Sequence, residues 1–124
     1  MNKSMTRPTL LVAEPEANQA LSSRKLVLET GKFNVITAHS GREFMDLVRR
    51  FPKVDCAIVH GLINDVPCEE LLAEAKQGSP PIKTIFLGAR VGASCKNADH
   101  VISSHDPQAL LDLVRKLFGD PRDS

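Results

Sequence analysis

The run Val54-Asp55-Cys56-Ala57-Ile58-Val59-His60 delivers an imidazole to the end of an apolar stretch. A ring nitrogen in that position could take a phosphoryl group or bind a transition metal. Glu14 and Glu16 close an earlier apolar run, and His105 follows Ser103-Ser104, so two carboxylates and a second imidazole could join it. Metal sites, however, usually declare themselves by further ligands at recognisable spacing, and none is present. The plainer use of His60 is a neutral ring hydrogen-bonded at a pocket rim, and Glu14 and Glu16 suit the positive end of a helix. Gly88 is read as a turn at a strand end, because no glycine-rich phosphate motif accompanies it. Ser103-Ser104 reads as a polar turn. With no second catalytic group at a known spacing, neither an enzyme nor a metal or cofactor is expected.

Composition narrows the partners. Sixteen basic residues offset fifteen acidic ones, so no global field draws the chain to nucleic acid or to a membrane surface. No apolar run is long enough for a membrane span, and the polar start is not a signal peptide. A cytoplasmic protein is expected. Cys56, Cys68 and Cys95 form no C-x-x-C pair and are read as thiols in a reducing compartment. The basic clusters Arg24-Lys25, Arg49-Arg50 with Lys53, and Arg115-Lys116 with Arg122 fall on or beside helices, where solvated faces carry charge.

Holding His60 at a strand end requires a sheet, and the pattern supplies one. Thr9 to Ala13 is a buried strand closed by Glu14-Pro15. Ala17, Ala20, Leu21, Leu26 and Val27 predict a helix from about Glu16 to Glu29, with Gly31 at its C-terminal cap. Phe33 to Ala38 is a second strand. Ser40-Gly41-Arg42-Glu43 is a capping box opening a helix with Phe44, Leu47, Val48 and Phe51 on its apolar side, and Pro52 stops it. Cys56 to Val59 is the third strand, and Pro67 starts a helix with Leu71, Leu72 and Ala75 inward, ending near Gly78. Thr84 to Leu87 and Val101-Ile102 are the last strands. Asp106-Pro107 caps a final helix through Leu110, Leu111, Val114, Leu117 and Phe118, closed by Gly119. Strands alternating with helices give one α/β domain, residues 9–119, with a doubly wound parallel sheet. Residues 1–8 and 120–124 are expected as a disordered start and a tail. Between Leu87 and His100 there is too little chain, and no apolar stripe, for a normal crossover helix. The fourth helix is therefore expected to be shortened or missing, leaving the sheet near strands four and five poorly covered.

On these residues the chain resembles the receiver domain of two-component response regulators. The carriers are Leu10-Leu11-Val12-Ala13-Glu14, Gly31-Lys32-Phe33-Asn34-Val35, Ala38 to Glu43, Phe51 to Asp55, and Asn97-Ala98-Asp99-His100-Val101-Ile102. The resemblance implies the flavodoxin-like strand order 2-1-3-4-5. It also implies a pocket in which two acids hold Mg²⁺, an aspartate accepts phosphate, and a hydroxyl and a lysine bind the phosphoryl oxygens. Here the acid pair falls on Glu14 and Pro15, the acceptor on His60, the hydroxyl on Gly88 and the lysine on Ser104. Only Glu14 keeps its role. The resemblance thus implies a degenerate pseudo-receiver, a phosphorylation-independent module for protein contacts. Its expected partner is a kinase, a regulator or an output domain, or a second copy docked on the face from the fourth strand to the last helix. Arg90, Val91, His100 and Arg115 are the candidate partner surface. The alternative is a domain that senses a small molecule or metal in the vestigial pocket.

Overall fold

Five short apolar runs become β1 (Thr9–Ala13), β2 (Asn34–Ala38), β3 (Cys56–His60), β4 (Lys83–Gly88) and β5 (His100–Ser103). The computed structural model describes residues 7–15, 23–51, 53–78 and 81–123. All strand pairs are parallel, in the order β2-β1-β3-β4-β5. Parallel neighbours need crossovers, and α1 (Ser23–Thr30), α2 (Gly41–Arg50) and α3 (Cys68–Ala75) provide the first three. The link from β4 to β5 holds no helix, as expected, and α4 (Pro107–Phe118) follows β5. No helix among the described residues is long and apolar enough to cross a membrane.

Alternation along the strands sorts the core into two halves. Leu10, Val12, Ile58, Ile85 and Leu87 meet Leu28 of α1 and Leu110, Leu111 and Val114 of α4. On the other face Leu11, Ala57 and Val59 meet Phe44 of α2 and Leu71, Leu72 and Ala75 of α3. Phe86 and Val101 are register partners on that second face, where the missing helix would lie. Val101 is 44% exposed but Phe86 only 5%. The expected bare sheet is therefore confined to β5.

Local signals set most helix ends. The Ser40 hydroxyl accepts from the Glu43 N–H, and the Glu43 carboxylate accepts from the N–H of His39, one residue earlier than a standard capping box. Asp106 accepts from the Ala109 N–H at the start of α4, and Gly119 closes it at φ 85°.

Several expectations need correction. Of the helix predicted from Glu16, residues 23–30 are α1; Glu16, Ala17, Ala20 and Leu21 lie outside the described residues, as does Pro52. Leu28 is its buried residue and Val27 packs beside it as expected, whereas Leu26 is exposed. Phe51 caps α2 and is exposed as well. Gly31 is not the left-handed cap. Lys32 is, at φ 74°, with its N–H on the Glu29 carbonyl and the Phe33 N–H on the Leu28 carbonyl, the double bonding of a Schellman end. Gly31 is small for another reason: a Cβ there would stand 2.7 Å from Cδ1 of Leu111. Where the described residues begin, the Asn34 side-chain amide donates to the Arg7 carbonyl and its N–H to the Pro8 carbonyl. At the end, Pro121–Asp123 forms a 3₁₀ turn beside the Asp120–Arg122 ion pair.

The cysteines depart furthest from expectation. Only Cys56 is a free thiol, buried in β3. Cys68 and Cys95 are joined by a disulfide, with their Cα atoms 6.3 Å apart. Their sequence spacing of 27 residues concealed the pairing, because only the return of the β4–β5 link over α3 brings them together.

Candidate functional site

Each parallel strand ends on the same edge of the sheet, so the residues that follow β1, β3, β4 and β5 gather on one rim. Glu14 follows β1, its N–H bonded to the Ala38 carbonyl. His60 ends β3 and Gly88 ends β4, and the Ser104 N–H after β5 donates to the Gly88 carbonyl at 2.9 Å. Glu14, His60 and Ser104 are all buried, at 5%, 7% and 7% exposure. Pro15, beside Glu14, is exposed and its side chain carries no ligand atom. Ser104 is thus an interior residue rather than part of an open polar turn.

The group that organises this rim is Arg24. Its Nη1 forms an ion pair with Glu14, and its Nη2 donates to the Ser104 carbonyl at 3.0 Å. From the second residue of α1 it ties the end of β1 to the end of β5. The Arg24-Lys25 cluster therefore does not lie wholly on a solvated face, since the Arg24 side chain is 14% exposed. Burying a guanidinium and a carboxylate together is tolerable because each neutralises the other and spare donors find a carbonyl.

His60 is held as a neutral ring. Its Nδ1 accepts the Leu62 N–H at 3.0 Å, leaving the proton of the neutral form on Nε2. Burial lowers its pKa below the ordinary imidazole value, the Arg24 charge lowers it further, Glu14 opposes both, and His105 adds to the lowering. The lone pair that would attack phosphorus or bind a metal is thereby committed to the backbone.

These residues do not fit the Mg²⁺ site that the resemblance implies. A hard cation of that kind needs several oxygen ligands in octahedral array. The rim offers one described side-chain carboxylate, Glu14, and a guanidinium already holds it. Among the described residues no group of three or more His, Cys, Asp or Glu could hold a metal ion.

The candidate partner residues divide. Arg90 and Val91 are exposed and line a groove of about 520 Å³ with Gly88, Val101, Ser103 and His105. His100 stands at the far end of β5, and Arg115 lies in α4, ion-paired with Asp112 and Asp120. The other basic clusters are also met by acids: Arg49 by Glu74, Arg50 by Asp46 and Arg122 by Asp120.

Sequence reasoning placed Arg24 on a solvated face, and it passed over Asp65. The Asp65 carboxylate accepts the N–H groups of Gly41 and Arg42 at the start of α2. The Gly41 bond is the chief reason its pKa lies below the usual carboxylate range. Asp99 is similar: burial pushes its carboxyl up, but the Lys76 ammonium and the Thr84 N–H outweigh that and hold it low.

The sheet order and helix placement define a class, the CheY-like receiver fold of response regulators. A receiver domain from Methanospirillum hungatei JF-1 is 21% identical with a TM-score of 0.76, over 95% of this chain and 98% of that one. The signal receiver domain of an HD domain-containing protein from Pseudomonas fluorescens Pf-5 is 18% identical with a TM-score of 0.76, over 96% and 100%. The response regulator TrrA of Thermotoga maritima, solved in complex with Mg²⁺ and BeF, is 23% identical with a TM-score of 0.70, over 90% and 99%. At these identities the likeness shows the fold alone. No protein-family model matches the chain, and no curated protein matches its sequence.

Proposed function

We propose that the chain is a pseudo-receiver, a non-enzymatic signalling module that works through protein contacts without aspartyl phosphorylation. The observation that carries this reading is the Arg24 guanidinium fastened to Glu14 and to the Ser104 carbonyl. An internal cation sits beside the acid that a receiver would give to a metal. The acceptor position is His60, whose Nδ1 is engaged by Leu62. A phosphoryl group arriving here would meet neither a metal nor a free nucleophile. The working location is the cytoplasm, and nucleic acid and membranes are not partners of this domain. The partner is a kinase, a regulator, an output domain or a second copy, docked between β4 and α4. Arg90 and Val91, which border the β5 groove, support that side best.

Incubation of the intact protein with a small acyl phosphate and Mg²⁺ tests the reading by mass. An unchanged mass is expected. A phosphate adduct that disappears in His60→Asn would make His60 an acceptor and overturn it. Sensing of a small molecule or metal at the same rim has no observation in its favour, because Arg24 already engages the pocket acid.

A further inference from the structure

Among the described residues, the β4–β5 link is anchored by hydrogen bonds in its second half and has few in its first. Asn97 Nδ2 donates to the Glu69 carbonyl at 3.1 Å, and Thr84 Oγ1 donates to the Asn97 carbonyl at 2.7 Å. The Asp99 carboxylate takes the Lys76 ammonium at 2.8 Å and the Thr84 N–H at 2.9 Å. Across 89–94 the Ala93 N–H donates to the Arg90 carbonyl, a bond internal to the span. Cys95 stands at the boundary between the halves, and its bond to Cys68 is the last tie to α3 before that span. The span beyond it borders both Phe86 and the β5 groove.

We infer that Cys68 and Cys95 form a reversible redox site, opened by low-molecular-mass thiols and closed by their disulfides, which sets the mobility of residues 89–94. Both cysteines are half-buried rather than enclosed. Cys68 is the first residue of α3, and Pro67 before it makes no side-chain cap, so a leaving thiolate there lies at the positive end of the helix. Glu69 and Glu70 in the same turn temper that advantage. In the exchange, a thiolate attacks one sulfur of the pair and expels the other as a thiolate, which takes a proton. A second thiol then resolves the mixed disulfide. The net change is two protein thiols for one small-molecule disulfide, with two electrons passing to the protein. Cys56 does not compete, because it is buried within β3. Opening the bond would loosen the groove wall while Asn97 and Asp99 keep β5 in place. The inference stands whether or not the domain accepts phosphate.

The test holds the full chain in glutathione buffers of graded oxidation, traps thiols by alkylation, and reads intact mass and amide hydrogen exchange. The expected result is loss of two alkylation sites on oxidation, with a midpoint inside the buffer range. Exchange at 89–94 should rise on reduction by about tenfold, with β5 unchanged. Cys95→Ser, which leaves α3 untouched, should show the fast exchange in every buffer. Three outcomes would overturn the inference: both thiols alkylated throughout, a bond that resists excess dithiol in the folded protein, or equal exchange at 89–94 in both states.

Discussion

Arg24 and Ser104 are 80 residues apart in sequence, yet the guanidinium of one donates to the carbonyl of the other at 3.0 Å. The same guanidinium grips Glu14, so α1, β1 and β5 share one knot. Removing one partner of a buried pair leaves the other charge uncompensated, which costs more than the intact pair contributes.

Arg24→Ala should therefore destabilise by about 3–5 kcal/mol, because Glu14 is left buried and alone. Removing both side chains, in Arg24→Ala with Glu14→Ala, should cost less than the sum of the single changes. Urea unfolding of the four proteins in this cycle measures the coupling. Additive single changes would mean that Arg24 and Glu14 do not stabilise one another.

His60 makes stability depend on pH. Its folded pKa lies below the ordinary value of 6.5, chiefly through burial. In the unfolded chain the ring then takes a proton at a higher pH than in the folded one. The stability from keeping it neutral is complete above the unfolded value and drains away as pH falls through the folded one. Unfolding midpoints should fall as the pH drops below 6.5 in the native protein, and His60→Asn should flatten that decline.

The elements were legible because their signals are local. Ser40 and Glu43, Asp106 before Pro107, and Gly119 each act within one turn of their helix. The missing fourth helix was legible too, since the β4–β5 link lacks both length and an apolar stripe. The knot was not. Arg24 looked like one more surface cation, and its partners are set by how the sheet brings strand ends together. Asp65 caps a helix that begins 24 residues before it, and Cys68 finds Cys95 across 27 residues. Pairings of that kind are made by the fold and leave no periodicity to read.

Gly31 and Lys32 should respond in opposite directions. Gly31→Ala puts a methyl group 2.7 Å from Leu111 Cδ1 and beside the Leu28 carbonyl, so the buried Leu111 side chain must repack. A loss of about 1–3 kcal/mol is expected. Lys32 is exposed and pays for a left-handed conformation at φ 74°. Lys32→Gly relieves that strain, partly offset by a freer unfolded chain, and should gain about 1 kcal/mol or less. Thermal unfolding of both variants distinguishes the two roles.

Phe86 and Val101 are neighbours on one sheet face with unequal cover, and that inequality is measurable. Phe86 is buried close to Gly61 and lines a groove with residues 89–94, whereas Val101 lies open on β5. Phe86→Ala should cost about 3–5 kcal/mol, the usual loss for a buried aromatic ring. Val101→Ser should change stability by no more than about 0.5 kcal/mol, because an exposed side chain has little burial to lose. If Val101→Ser cost as much as Phe86→Ala, something must cover β5 in solution. A second copy of the chain would be the first occupant to examine, and the cost would then fall as the protein is diluted.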